Sequence, residues 1–417
     1  MKTSLDSPPK KLSIDFVTGS GGGGHIATYK AIRSIIEQQH LPWHVSETNI
    51  DEMVGLMAEQ KQTFDIYRLF GTSPDQFINQ IAQSGWNWIH WFMTPLNKLL
   101  IALHYEAGLK MLESHWWQKQ PDLVISVVPL FNKILWDSLQ RVKPGTPVVT
   151  VLTDFADMPS AFWIEPKTGN YTVCGTERAA EQARSLGVQE QRIVKTSGIV
   201  LHPRFYEPIT CDRAQERQRL GLDPDRFTGL VLFGGCGSDV MLEIAQRLEC
   251  FHPKLQLIFL CGHNAEVASA LRSRPSLQKQ FVSDFTQDIP YYMHLADFFI
   301  GKPGPGSLSE AVVMNLPVIV ERNWGTIPQE RYNAEWVRQK QVGLVIPSFR
   351  HIQKAVGQFL EPENFAHYRA NVSAINNRAV FEIPEILQQI LDSHDQTTVA
   401  RSLVQNSYCA EQPVVPG

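Results

Sequence analysis

The sequence predicts an α/β protein made of two successive doubly wound, Rossmann-like domains that face each other across a cleft. Three observations predict it. The chain has 417 residues, more than one hydrophobic core usually organises. Short apolar runs bounded by Pro, Gly or Asp alternate with stretches of helical period, as in a parallel sheet wound with helices. The alternation also opens twice with the same device, a strand running into a glycine cluster and then a helix. LSIDFVT leads into Gly19–Gly24, and GLVLF leads into Gly234-Gly235-Cys236-Gly237.

Leu12–Thr18 is the first expected strand, and Ile26, Ile32, Ile35 and Ile36 are spaced along one face of the helix that follows it. Leu123–Val128, Val148–Thr153 and Tyr171–Cys174 continue the first sheet. A segment of mixed polarity near Pro208–Thr210 marks the boundary, giving domains over residues 1–208 and 209–395. In the second domain Gly229–Phe233, Leu255–Leu260, Asp297–Ile300 and Pro317–Val320 repeat the strand-then-loop form. Residues 396–417 show no period and are expected to form a mobile tail. Sites in such sheets lie at the carboxyl ends of the strands.

Composition excludes several classes. Hydrophobic residues make up 43% and charged residues 19%, with 21 Phe and 10 Trp, so the chain is neither disordered nor collagen-like. A formal charge of −4 gives no reason to expect a nucleic-acid partner. No apolar run approaches the roughly 18 residues of a membrane span, and MKTSLDSPPKKLS lacks a signal-peptide core. Six cysteines without a CxxC pair suit reduced thiols, so a cytoplasmic location is expected.

The first glycine loop contains GxGxxG at Gly19, Gly21 and Gly24, which read alone suggests a dinucleotide site with Glu47 as the ribose acid. Any doubly wound domain favours glycines there, so this signal is weak. A P-loop is excluded because His25 follows Gly24. His25 stands at a helix N-terminus, where the dipole lowers an imidazole pKa, and a neutral imidazole can take a proton from an attacking hydroxyl. A capping or cleft-lining histidine fits the loop equally well. Gly301-Lys302-Pro303-Gly304-Pro305-Gly306-Ser307 then leads into Leu308-Ser309-Glu310-Ala311. Its glycines admit an anion to the backbone, the helix start offers free N–H groups, and Glu310 can accept two ribose hydroxyls. Pro328-Gln329-Glu330-Arg331-Tyr332-Asn333 opens a further helix, with a Gln-Glu pair suited to sugar hydroxyls or to a solvated helix start. Asp223-Pro224-Asp225 is formally DxD but reads as a polar turn, and no cluster has metal-ligand spacing. No metal and no cofactor are expected.

The glycine loop with His25, KPGPGSLSE and PQERYN together resemble the two-domain GT-B glycosyltransferases. The nearest branch is that of the monogalactosyldiacylglycerol synthases and bacterial diacylglycerol glucosyltransferases. The resemblance runs over about residues 12–390 and includes Thr150–Asp154, Val173–Thr176 and Gly198–Phe205. It implies a GT-B fold and an inverting, metal-independent transfer of a hexose from a UDP-sugar, a substrate rather than a cofactor, to a lipid acceptor hydroxyl. By the same resemblance His25 is the catalytic-loop histidine behind Gly23 and Gly24. Asp154, at the end of a neighbouring strand, is the alternative base if His25 is structural. Gly234, Gly235 and Gly237 line the donor diphosphate, and Phe281-Val282-Ser283 meets the nucleobase. Lys302 and Gly304-Pro305-Gly306-Ser307 cradle phosphate, Glu310 holds the ribose, and Gln329 with Glu330 contacts the transferred sugar. The chain departs from the family at His202-Pro203-Arg204, where plant members have Arg before Pro, which moves phosphate contact toward His202 or Arg204. It departs again at Pro328, where the family has Gly.

Residues 85–117 are rich in Trp, with Lys98 and Lys110 nearby, and suit either a peripheral membrane contact or packing of the first domain. A UDP-sugar epimerase of similar build and a non-catalytic UDP-binding protein are the rival readings.

Overall fold

The structure, a computed structural model, describes residues 11–19, 23–59, 90–158 and 161–410. Gly21, Trp86 and Trp88 of the sequence analysis lie outside these, as does the side chain of Trp91. The first unit runs β1 (Leu12–Thr18), α1 (Gly24–Gln38), β2 (Trp43–Asn49), α2 (Ile50–Glu59), α3 (His90–Leu103), α4 (Tyr105–Lys119), β3 (Leu123–Ser126), α5 (Asn132–Val142), β4 (Val148–Val151), β5 (Tyr171–Cys174), α6 (Glu177–Leu186) and β6 (Ile193–Lys195). The second runs α7 (Arg213–Arg219), β7 (Phe227–Leu232), α8 (Val240–Leu248), β8 (Leu255–Leu260), α9 (Ala265–Ser273), β9 (Gln280–Ser283), α10 (Ile289–Leu295), β10 (Phe298–Gly301), α11 (Pro305–Val313), β11 (Val318–Glu321), α12 (Pro328–Lys340), β12 (Gly343–Ile346), α13 (Ile352–Phe359) and α14 (Pro362–Ser373). A long helix, α15 (Ala379–Ala410), ends the described chain.

Each unit holds a six-stranded parallel sheet, ordered β2-β1-β3-β4-β5-β6 and β12-β11-β10-β7-β8-β9. Both faces of these sheets are covered, so the central strands are apolar throughout rather than alternating. The strand period still divides the cores. Ile14 and Phe16 pack on one side of the first sheet and Val17 on the other. Leu230 and Leu232 face one core of the second sheet, while Val231 and Phe233 face the other.

The chain crosses between the units a second time after α14. Asn377 Nδ2 donates to the Ile199 carbonyl at 2.9 Å, and the Ser197 N–H donates to Glu382 Oε2 at 2.9 Å. Beyond it Ala379, Val380, Ile383, Leu387, Ile390 and Leu391 join the first sheet's core beside Ile14, Phe16 and Ile32. The sequence reading gave residues up to 395 to the second domain and expected an irregular tail after it. Instead, α15 returns to the first unit and stays helical to Ala410; its apolar positions from Ala379 to Leu391 belong to a core that no local pattern reveals.

The structure also places Glu47, part of the Trp-rich stretch and the Asp223-Pro224-Asp225 turn. Glu47 lies within β2 and accepts from Thr18 Oγ1 at 2.8 Å, so it is tied to the sheet rather than offered to a ribose. In the Trp-rich stretch Trp116 is fully buried and donates from Nε1 to Ser138 Oγ at 2.9 Å, whereas Trp117 is exposed. Asp223 and Asp225 form the expected turn, with the Asp225 N–H donating to Asp223 Oδ1 at 3.2 Å.

Candidate active site

The carboxyl ends of β1 and β4 bring His25 and Asp154 toward one indole. The His25 ring lies 5.6 Å from that of Trp163, and Trp163 Nε1 donates to Asp154 Oδ2 at 2.8 Å. Asp157 fixes the loop that carries the tryptophan. Its Oδ1 accepts from the backbone N–H groups of Phe162 at 3.0 Å and Trp163 at 2.8 Å, and its Oδ2 accepts from Ile164 at 3.3 Å. A loop residue thereby gains the rigidity of a strand residue, which a positioning group needs.

Burial sets the protonation of both groups. It pulls the His25 imidazole below its ordinary value, against the opposing pull of the Val127 backbone and the Asp51 carboxylate. Nδ1 of His25 is buried and makes no hydrogen bond. Burial pushes the Asp154 carboxyl up to about 7, partly offset by the Trp163 hydrogen bond and reinforced by the charges of Glu330 and Asp157. The influence of Glu330 is one link between the halves, since it belongs to α12 of the second unit.

There Glu330 is buried and pairs with Lys302 Nζ at 3.3 Å. Asn333, fully buried one turn along α12, donates from Nδ2 to the Pro303 carbonyl at 2.8 Å. The PQERYN helix start and the KPGPGS loop are therefore one assembly. Gly304 caps α11 and Pro305 takes its first position, where the missing N–H costs nothing. A Cβ added at Gly23, Gly24 or Gly306 would meet nothing within 4 Å, so the backbone at these helix starts fronts open space. Ser307 follows within α11, and the buried Oε1 of Gln329 makes no hydrogen bond.

Lys302 also reaches the second glycine loop, its Cε lying 3.8 Å from where a Cβ on Gly234 would stand. Gly235 accepts from the His263 N–H at 2.8 Å. Glycine is required at two positions here. Gly237 (φ 63°) and Gly262 (φ 60°) adopt left-handed backbone, and a Cβ on either would come within 2.3 Å of a carbonyl of the other loop.

Glu310 is pushed up to about 7 by burial, with the Arg204 guanidinium opposing. Arg204 Nε is buried without a partner, and the Arg204 N–H donates to His202 Nδ1 at 3.3 Å. Burial, then the Arg204 charge, lowers the His202 imidazole. The segment Phe281-Val282-Ser283 forms edge strand β9, where Val282 O accepts from Arg272 Nη2 at 3.2 Å and Ser283 O from the Cys261 N–H at 2.9 Å. Phe281 stacks on Tyr292 at 5.8 Å. Phe281, Val282 and Ser283 are thus engaged within the second domain.

The sequence reading missed Trp163 and Asp157. Neither lies in a motif, and an aspartate gathering three N–H groups five to seven residues ahead leaves no periodic trace. Among the described residues no group of three His, Cys, Asp or Glu side chains is arranged to hold a metal.

Two family models match the chain: monogalactosyldiacylglycerol (MGDG) synthase over residues 79–201 and the glycosyltransferase family 28 C-terminal domain over residues 230–389. A probable monogalactosyldiacylglycerol synthase 3, chloroplastic, of Oryza sativa subsp. japonica is 26% identical over 408 residues, covering 91% of this chain and 74% of that protein. A processive diacylglycerol beta-glucosyltransferase of Bacillus licheniformis is 25% identical, covering 94% of this chain and 99% of its own. Among solved structures, MurG of Acinetobacter baumannii superposes with a TM-score of 0.57 at 12% identity, over 91% of this chain and 99% of that one. A UDP-GlcNAc 2-epimerase from Neisseria meningitidis superposes at 0.55 and 16%, over 91% and 100%. The two structures bear on the fold alone, which is GT-B.

Proposed function

We propose, from the premise that this chain is a hexosyltransferase of the monogalactosyldiacylglycerol synthase and glycosyltransferase family 28 group, that it moves a hexose from a UDP-sugar to a diacylglycerol hydroxyl. The supporting observation is the His25–Trp163–Asp154 cluster, which feels the charge of Glu330 from the donor side. The acceptor oxygen attacks the anomeric carbon as His25 takes its proton, and the bond from that carbon to the diphosphate breaks with inversion. A neutral imidazole suits this step, and burial keeps His25 neutral near pH 7. The departing UDP is received by the α11 N-terminus, the Gly234–Gly237 loop and Lys302, whose N–H groups and charge oppose its negative charge.

An epimerase has the same fold, so architecture does not separate the readings. The lipid-directed names of the relatives favour transfer. A UDP-release assay over a panel of UDP-sugars, with and without diacylglycerol micelles, separates the cases. Release that requires lipid is expected. Epimer formation without lipid favours the epimerase, and UDP binding without turnover favours a non-catalytic protein. Among the described residues no helix is long and apolar enough to cross a membrane, so contact with the bilayer is proposed to be peripheral.

Two predictions follow from the donor half. Glu310→Ala should weaken UDP binding by about 1.5–3 kcal/mol through loss of ribose hydrogen bonds to a charged acceptor. Because the Glu310 carboxyl is pushed up to about 7, the gap between variant and parent should widen as pH rises from 6 to 8. Equal affinities by calorimetry across that range sink the ribose role. Activity should also survive EDTA, with backbone N–H groups and Lys302 stabilising the leaving group. Loss on chelation with recovery on Mg²⁺ or Mn²⁺ would overturn this.

A further inference from the structure

A cavity of about 460 Å³ opens in the first domain among α3, the turn at Leu130 and the loop 161–165. Ile101, Ala102, Leu130, Ile134 and Phe162 supply its apolar surface, and Trp163 lines it too. The same indole packs on His25 and donates to Asp154, so one side chain borders both the cavity and the proton-transfer groups. Charged groups reach the lining, but they are matched. Lys98 donates to the Ala161 carbonyl at 2.8 Å, and Lys133 donates to the Tyr105 hydroxyl at 3.2 Å and to Asp137. Glu165 sits in the field of both lysines. Of the two lysines in the lining, each is already held by oxygen partners, and Glu165 adds a carboxylate beside them, so neither ammonium is left over to hold an anionic head group. The helix that brings Ile101 and Ala102 to the cavity also holds Leu99 and Leu103 exposed, at 55% and 69%, so apolar surface continues outside the cavity.

From this juxtaposition we infer that the cavity receives one acyl chain of a neutral glycerolipid acceptor, with Trp163 spacing that chain from the hydroxyl presented to His25. The inference rests on the acceptor reading proposed above. It makes Ile101 and Ala102 determinants of acyl-chain specificity. Filling the cavity should exclude long chains more than short ones, because each buried methylene contributes to binding.

The test measures kcat/KM for dioleoylglycerol and dihexanoylglycerol in mixed micelles, with one UDP-hexose, in the parent and in Ile101→Trp. The variant should lower the long-to-short ratio by about 10-fold or more, the range of discrimination that small changes in an apolar pocket bring. UDP affinity by calorimetry should stay parental and reports folding. If Ile101→Trp fails to bind UDP, Ala102→Phe carries the same expectation. An unchanged ratio in a folded variant overturns the cavity assignment and leaves the transferase reading standing. A parent that glycosylates no diacylglycerol overturns both, and one that accepts only anionic lipids overturns the neutral-acceptor assignment.

Discussion

Replacing His25 with alanine is expected to cut kcat by about 10²–10⁴-fold, the usual contribution of one acid–base group, with little change in UDP affinity. The size follows from the chemistry of the acceptor. A lipid hydroxyl ionises far above neutral pH, so it attacks well only if its proton leaves as the new bond forms. Histidine, with an ordinary pKa near 6.5, is the side chain suited to that transfer, and burial lowers His25 further. The lowered pKa favours the neutral imidazole that the proposed base needs near pH 7. UDP affinity is the control, because the nucleotide contacts proposed here belong mainly to the second domain. Near-parental turnover with a glycosylated diacylglycerol product would make His25 structural, and Asp154 would become the leading base.

Asp154→Asn should raise thermal stability at pH 8 and not at pH 4. The folded carboxyl is held at about 7 against an ordinary 3.8. The folded protein therefore binds more protons than the unfolded chain between those values, and parental stability falls as pH rises through that window. When the group is fully ionised the cost is on the order of 4 kcal/mol, an upper figure because unfolding fluctuations and water relax it. Asparagine has no such titration and keeps a carbonyl oxygen for Trp163 Nε1. The same substitution should remove from the kcat profile any step near pH 7 that belongs to the Asp154 carboxyl. Melting curves for parent and variant at pH 4 and pH 8 decide the matter. An equal difference at both pH values would mean that Asp154 is not held near 7.

The loops proposed to hold the donor were legible as local backbone form. Glycine spacing, Pro305 at a helix start and Glu310 one turn later all lie within ten residues, so a linear reading finds them. The buried strands Leu255–Leu260 and Val148–Val151 were equally plain, each a continuous apolar run between turns. By contrast β2, β6, β9 and β12 are short or partly polar strands outside the apolar centres of the sheets, and their pairing is decided by neighbours rather than by composition. The cluster proposed to meet the acceptor was only half legible as an arrangement. His25 and Asp154 are marked by their loops, but Trp163 between them is positioned by Asp157 through backbone hydrogen bonds, an arrangement with no sequence period. The link from Glu330 to Asp154 joins residues 176 positions apart and exists only once the two units have closed on each other.

The return of α15 to the first sheet bears on how the protein is born. A ribosome releases the first domain's strands early, and N-terminal domains ordinarily fold during synthesis. Here Ala379, Val380, Ile383 and Leu387 complete the surface around Ile14 and Phe16, so that domain stays unfinished until nearly all of the chain has emerged. The first unit must wait for the second. A fragment stopping at the domain boundary leaves an apolar face of its sheet open to water, and is expected to be retained by chaperones or lost to aggregation rather than accumulate as a free first domain.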